Sequence, residues 1–108
     1  MSYSVVSIPP FDRQLKRLSK KYPSLKKEME SLVVLLEKNP IQGTPIGNSC
    51  YKIRLSISSK GKGKSGGARI ISHVHISATV VYLLSIYDKN AMSNITDKEL
   101  NMLIRFIE

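Results

Sequence analysis

Alternation of side-chain character between positions 51 and 58 is the feature that most limits what this chain can fold into. A period of two is typical of a β-strand with one buried face and one polar face. The chain is therefore expected to contain a sheet with one face that carries cations. The apolar positions are Tyr51, Ile53, Leu55 and Ile57, and the polar positions between and after them are Lys52, Arg54, Ser56 and Ser58.

Further strands are predicted on either side of this one. Residues 68–76 and 79–87 are rich in strand-forming side chains, and they follow a turn at 59–67 that contains four glycines and three lysines. The run at 79–87 is nearly all apolar, which predicts a position inside the sheet. A short strand is also expected at 3–8, where β-branched and aromatic residues stop at two prolines.

Before the alternating strand, apolar residues recur at helical spacing and predict two helices joined by a tight turn. Pro23 ends the first helix, and Ser24 is placed to cap the second. The second helix continues to Asn39 and Pro40, and residues 41–49 are expected to form a loop. The shared apolar stripe consists of Phe11, Leu15, Leu18, Tyr22, Leu25, Met29, Leu32, Val33 and Leu36.

A last helix completes the predicted fold. Thr96 and Glu99 have the spacing of a capping box, and apolar residues follow on one face as far as Ile107. The order β-α-α-β-β-β-α predicts an α+β fold, in which a small antiparallel sheet carries the helical hairpin on one face. The 108 residues suit a single domain over positions 1–108.

The overall charge points to an anionic partner. Seventeen Lys and Arg stand against eight Asp and Glu, a formal charge of +9, which attracts nucleic acid, an anionic membrane surface or an acidic protein. Cys50 is the only cysteine, so no internal disulfide is possible, which suits a reducing compartment. No segment matches a signal peptide or is long enough to span a bilayer, so we expect a cytoplasmic protein without a membrane partner.

Six cations without an intervening acid lie between positions 52 and 69. Lys52 and Arg54 point to one face of their strand, and strand pairing is expected to place Arg69 near Arg54. Such crowding of like charges is tolerated when an anion completes the site, which predicts contact with the phosphates of a nucleic acid, most of all RNA. The turn lysines are expected to contact RNA too, although such a turn is also typical of a solvated hairpin loop. The six residues, here called the basic band, are Lys52, Arg54, Lys60, Lys62, Lys64 and Arg69.

Catalysis without a metal or other cofactor is the chemistry that these residues favour. His73 and His75 lie two apart on one predicted strand, with no carboxylate near them in sequence, so no metal site is predicted. His73 is a candidate for RNA contact, and the pair is a candidate for acid and base, but packing or surface positions are more typical of two such histidines.

RNA can also be cut when its own 2′-OH attacks the adjacent phosphate, provided that the protein aligns the two and stabilises the developing charge. Arginines suit the second task, and Lys52 is a candidate base because neighbouring cations favour a neutral amine. Tyr87 and Lys89, at the end of the apolar strand, are candidates for a stacking surface and a further donor. Tyr87 is equally typical of strand-end packing.

Three segments taken together, residues 50–55, 61–71 and 81–90, resemble the RelE/HigB toxins of bacterial type II toxin–antitoxin systems, within the RelE/ParE superfamily. The similarity is greatest to the HigB-like branch with a glycine- and lysine-rich hairpin, and it covers nearly the whole chain. It implies an endoribonuclease (mRNA interferase) that cleaves mRNA on the ribosome and so inhibits translation. It also implies a cognate antitoxin that neutralises the toxin, with operator DNA contacted only through the complex of the two.

The resemblance also implies roles for individual residues. Two catalytic basic residues of RelE toxins match Lys52 and Arg54, the arginine that opens the next strand matches Arg69, and a later basic residue matches Lys89 approximately. The catalytic tyrosine near the RelE C terminus has no counterpart at 93–96, so Tyr87 or a lysine takes its place. Two alternatives stay open: a gyrase-inhibiting toxin of the ParE kind, and a non-catalytic module that binds RNA or the ribosome through charge.

Overall fold

A computed structural model describes residues 2–60, 67–92 and 94–107, apart from the side chain of Lys60. It confirms the predicted α+β class, with one strand more than the sequence indicates. Short 3₁₀ turns lie at Ser58–Lys60 and Arg105–Ile107. The elements are β1 (Ser4–Ser7), α1 (Pro9–Lys21), α2 (Leu25–Lys38), β2 (Thr44–Gly47), β3 (Cys50–Leu55), β4 (Ala68–His75), β5 (Val80–Asp88) and α3 (Asp97–Ile104).

The five strands form one mixed sheet in the order β1-β5-β4-β3-β2. Strands β3, β4 and β5 form the predicted antiparallel meander. Strand β5 lies inside the sheet, as its apolar sequence predicts, because β1 pairs with its other edge. That pairing is parallel and runs from Ser4 with Val80 to Ser7 with Leu83.

Strand β2 lies where a loop is predicted, so the prediction for 41–49 is wrong in part. Residues Thr44–Gly47 pair with the start of β3 in the antiparallel sense. Asn48 and Ser49 have φ values of 55° and 60°, as the central residues of a type I′ hairpin turn do. Pro45 and Gly47 are poor strand formers, so the sequence does not indicate this strand. Both are acceptable there because β2 is an edge strand.

The helical hairpin packs on the sheet and supplies much of the core. Phe11, Leu25 and Leu36 are buried among the strand residues, and this removal of apolar surface from water is the main stabilising contribution. Gln14 of α1 also accepts hydrogen bonds from the Ile86 N–H (3.0 Å) and the Ser85 hydroxyl (3.2 Å), beyond the end of the β1 pairing. Within the described ranges, the helices are all too short or too polar to cross a membrane.

The two predicted helix caps have different outcomes. The capping box before α3 is confirmed, since the Thr96 hydroxyl accepts from the Glu99 N–H (3.1 Å) and Glu99 accepts from the Thr96 N–H (3.2 Å). Ser24 occupies the cap position of α2, but the prediction that its side chain caps the helix is wrong. Its hydroxyl bonds to Glu28 (3.0 Å) and to Ser59 (2.8 Å) instead.

Candidate functional site

A row of three facing side chains crosses the sheet from β3 to β5. Arg54 lies directly opposite Arg69, and Arg69 lies directly opposite Tyr87. Opposed residues of antiparallel strands point to the same face of the sheet, with Cβ atoms about 5 Å apart. The predicted proximity of Arg54 and Arg69 is therefore confirmed, and Tyr87 lies beside them. These three residues are called the cross-strand row below.

Arg69 is unusual because its guanidinium is buried. Its side chain is only 4 % exposed, whereas Arg54 is exposed. The guanidinium donates to the carbonyl of Ala68 (3.2 Å), and no carboxylate in the described part of the chain pairs with it. Burying a cation without a counter-charge costs free energy. Binding of an anion beside Arg69 would offset that cost.

Tyr87 brings a neutral hydroxyl to this cation. Its hydroxyl is buried and makes no hydrogen bond with any described residue. Burial raises the pKa of Tyr87, the positive charge of Arg69 opposes that rise, and the negative charge of Glu99 adds to it. The phenol therefore holds its proton at neutral pH, and its hydroxyl is free to donate.

Lys52 lies on the same face, two residue pairs along from Arg54 and Arg69, and is opposite Ile71. Its side chain is half-buried, and Nζ donates to Asn94 Oδ1 (3.0 Å). Asn94 belongs to the segment that leads into α3, and a small cavity of about 120 Å³ lies between Lys52 and the first turn of that helix. The start of α3 therefore covers the Lys52 end of the site.

Lys89 lies at a turn rather than on the sheet. Its side chain is exposed, and its backbone N–H donates to the carbonyl of Gly67 (3.3 Å) just before β4. The turn thus holds Lys89 at the end of β5 that carries Tyr87. This placement agrees with a further cation at the margin of the cross-strand row.

The predicted RNA contacts in the turn lie mostly outside the described residues. Lys62 and Lys64 fall in 61–66, and of Lys60 only the backbone is described. The structure does show how the segment before them is held. Glu28 accepts two hydrogen bonds from Ser58, one from its N–H and one from its hydroxyl (both 2.8 Å), an attachment that the sequence did not indicate.

His73 has protein partners that favour packing over catalysis. Its Nδ1 lies 3.4 Å from the Cys50 sulfur, and its ring lies 6.3 Å from that of Tyr82. Burial lowers the pKa of His73, so the ring is neutral near pH 7. Burial also raises the pKa of Cys50 to about 11, which keeps it a thiol. His75 is exposed at the end of β4, so an acid–base role for the pair has no support in these contacts.

The sequence did not indicate that two further residues belong to the site. Asn94 accepts a hydrogen bond from Lys52, and the negative charge of Glu99 raises the pKa of Tyr87. Neither has a local pattern that marks it as a site residue. The described residues contain no group of three or more His, Cys, Asp or Glu side chains placed to hold a metal ion.

A comparison with models of protein families identifies the family of this chain. A family model described as the RelE toxin of the RelE/RelB toxin–antitoxin system matches residues 11–106. The chain belongs to the RelE toxin family. It is therefore a toxin of a toxin–antitoxin system, which confirms the predicted superfamily. Its placement in the HigB-like branch stays a prediction.

Solved structures of RelE show the same fold. The free form of an Escherichia coli RelE variant with two arginines replaced by alanine matches with a TM-score of 0.63 at 21% identity, covering 100% of both chains. RelE in the intact E. coli RelBE toxin–antitoxin complex matches at 0.62 and 18%, covering 81% of this chain and 96% of that one. Isolated E. coli RelE matches at 0.58 and 19%, covering 96% and 98%. At such identities, the similarity of this chain to the RelE structures shows a shared fold and nothing more.

Proposed function

We propose that this RelE-family toxin is a ribosome-dependent endoribonuclease that cuts mRNA at the cross-strand row. The observation that carries the proposal is Arg69, a buried guanidinium without a carboxylate partner among the described residues. Arg54 stands opposite it, and Tyr87, whose hydroxyl has no hydrogen-bond partner within the described ranges, lies on the strand at its other side. An RNA phosphate would supply both the negative charge and the acceptor oxygens that this group of side chains lacks.

The proposed reaction breaks one P–O bond and forms another. The 2′-oxygen of a ribose attacks the adjacent phosphorus, and the bond from phosphorus to the 5′-oxygen breaks, which leaves a 2′,3′-cyclic phosphate and a 5′-hydroxyl. The proton of the 2′-OH goes to a base, and the departing 5′-oxygen receives a proton from an acid. Arg69 and Arg54 stabilise the charge that develops on the phosphate oxygens.

Acid and base are assigned from the environments of the two remaining groups. Tyr87 suits the acid, because its raised pKa keeps the phenol protonated at neutral pH. Lys52 is the base, because it lies on the same face of β3 as Arg54 and so on the side of the sheet where the phosphate would bind. The start of α3 must move away for RNA to reach these groups, since Asn94 holds Lys52 in the free protein.

The surrounding cations bind rather than react in this proposal. Lys89 adds a charge at the margin of the row, and the lysines at 60, 62 and 64 hold the RNA or the ribosome through its phosphates, with His73 as a further contact. Such contacts act through charge, so binding falls steeply as salt is added. A ribosomal substrate places the toxin in the cytoplasm.

A cognate antitoxin is the second proposed partner. E. coli RelE has been solved in the intact RelBE complex and with a peptide of the RelB antitoxin. In the present chain, a charge of +9 and exposed apolar side chains, among them Leu35 on α2 and Phe106 in the 3₁₀ turn after α3, suit an acidic, amphipathic segment. Contact with operator DNA would come only through that complex. Co-purification with the product of the neighbouring reading frame tests this pairing.

A translation extract tests the reaction. Wild-type protein added to an extract with a reporter mRNA should produce cuts within codons, mapped by primer extension, and Arg69→Ala should abolish them. Arg17→Ala is the matched control, because it removes the same charge from an exposed position on α1. Wild-type cutting by Arg69→Ala would show that the site is wrong. Inhibition of gyrase supercoiling with intact mRNA would favour the ParE-like alternative, and ribosome binding without cuts would favour a non-catalytic module.

A further inference from the structure

Asp88 is a buried carboxylate that the proposed reaction does not use. It is the last residue of β5, it is only 8 % exposed, and it stands between Tyr87 and Lys89 in the chain. Because neighbouring residues of a strand point to opposite faces, Asp88 points away from the cross-strand row. A buried carboxylate is costly unless its oxygens are hydrogen-bonded, so its contacts should explain why it is there.

Those contacts join the end of β5 to α1 and to the turn that follows. Oδ2 of Asp88 accepts the hydroxyl of Tyr22 (2.8 Å), the residue at which α1 ends. Oδ1 accepts the N–H of Asn90 (3.0 Å), and the Asp88 carbonyl accepts the N–H groups of Ala91 (3.0 Å) and Met92 (3.2 Å). One residue therefore fixes both the direction of the strand end and the shape of the turn at 88–92.

The same turn is packed against the ends of the other two central strands. Lys89 donates its N–H to the Gly67 carbonyl (3.3 Å). Gly67 in turn passes so close to β3 that a Cβ at this position would collide with the carbonyl of Leu55. Leu55 follows Arg54 directly in the chain, and Gly67 lies two residues before Arg69. A shift of the turn would thus be transmitted to the strand ends that carry the cross-strand row.

We propose that Asp88 and Tyr22 form a positioning pair, which holds Tyr87 and Lys89 at the distance from Arg69 that the reaction needs. Neither residue of the pair touches the substrate. The inference rests on the proposed endoribonuclease function and adds to it two residues, one from the helical hairpin. Small displacements of reacting groups reduce rates strongly while leaving substrate binding nearly intact, so the pair acts on kcat.

Two conservative variants test the pair. Tyr22→Phe removes one oxygen atom, and Asp88→Asn keeps the shape of the side chain. For cleavage of mRNA on purified ribosomes, each should lower kcat about tenfold or more and leave KM within about twofold. The double variant should be no slower than the slower single variant, because residues that act as a unit are not additive. Tyr3→Phe, at the opposite end of the sheet, is the matched control and should cut like wild type.

Thermal melting of each variant separates positioning from folding. A lower melting temperature with wild-type kcat for the folded protein would overturn the pair, as would a rise in KM with unchanged kcat. If Asp88→Asn does not fold, Tyr22→Phe decides alone, because it changes the least. If wild type and both variants cut equally well, the positioning pair is rejected, but the proposed function is not. If the wild-type protein never cuts, the proposed function is rejected, and the positioning role of the pair is rejected with it.

Discussion

Arg54 and Arg69 lie directly opposite each other on antiparallel strands and point to the same face of the sheet. One of the two guanidinium groups is exposed and the other is buried, and in the described residues the buried one has no acidic partner. Two like charges at this spacing repel each other, and the repulsion falls when an anion binds between them. Anion binding and stability are therefore linked in this protein.

Anions should raise the melting temperature of the toxin, and the effect should depend on Arg54. An anion that binds only the folded state at about one hundred times its Kd stabilises that state by about 2.7 kcal/mol. We expect phosphate or a short RNA oligonucleotide to stabilise wild type and Arg17→Ala equally, and Arg54→Ala much less. Sodium chloride at the same ionic strength controls for screening. Equal stabilisation of all three proteins would argue against an anion site at this row.

Tyr87→Phe should reduce cleavage and leave the fold as stable as before, or more stable. The buried hydroxyl has no partner in the described structure, so its removal relieves a desolvation cost of about 1–3 kcal/mol. Loss of the proposed acid should lower cleavage about a hundredfold. Urea unfolding and primer extension measure the two effects, with Tyr51→Phe as the control. A clear loss of stability would show that the hydroxyl does have a partner.

Gly67→Ala should destabilise the protein far more than Gly47→Ala. A Cβ at Gly67 would collide with the backbone carbonyl of Leu55, and the backbone cannot move aside without disturbing β3. We expect a loss of about 3 kcal/mol or more. Gly47 has open space around it but a φ of +94°, so alanine there costs only about 1 kcal/mol of backbone strain. Urea unfolding of both variants measures the difference, and similar losses would contradict the close approach at Gly67.

His73 should make the protein less stable as the pH falls. Burial lowers its pKa in the folded state below the ordinary 6.5, so the unfolded chain binds the proton more readily. The stability from the neutral ring is complete above 6.5 and is lost as the pH falls toward the lower folded value. Between about pH 7.5 and about pH 5.5, the melting temperature of His73→Asn should fall less than that of wild type. His75→Asn, at an exposed position, is the control and should follow wild type closely.

Local patterns predicted much of the fold and one part of the site. The alternation around Ile53 gave a strand whose polar face holds Lys52 and Arg54, and hairpin pairing then brought Arg69 to Arg54. The capping box of α3 followed from two residues three apart. Strand β2 was missed because Pro45 and Gly47 are poor strand formers, and only its edge position makes them acceptable.

Contacts between distant parts of the chain could not be predicted in this way. Asn94 binds Lys52 from 42 positions away, and Tyr22 binds Asp88 from 66 positions away. Neither pair has a local sequence signal, because each depends on how elements pack together. The burial of Arg69 is of the same kind, since the sequence shows a cation on a polar face and only the folded sheet shows that this cation is covered.

The cross-strand row also limits how the gene for this toxin can change. Consecutive residues of a strand point to opposite faces, so one residue inserted or deleted between Arg69 and Ile71 would turn Arg69 away from Arg54 and Tyr87 and toward the helical hairpin. Strand β5 already has such an irregularity, beyond the row, where the register with β4 shifts between Ile71 and Ser72. In homologous toxins, changes of length should therefore accumulate past that shift and be absent from the segment between Ala68 and Ile71.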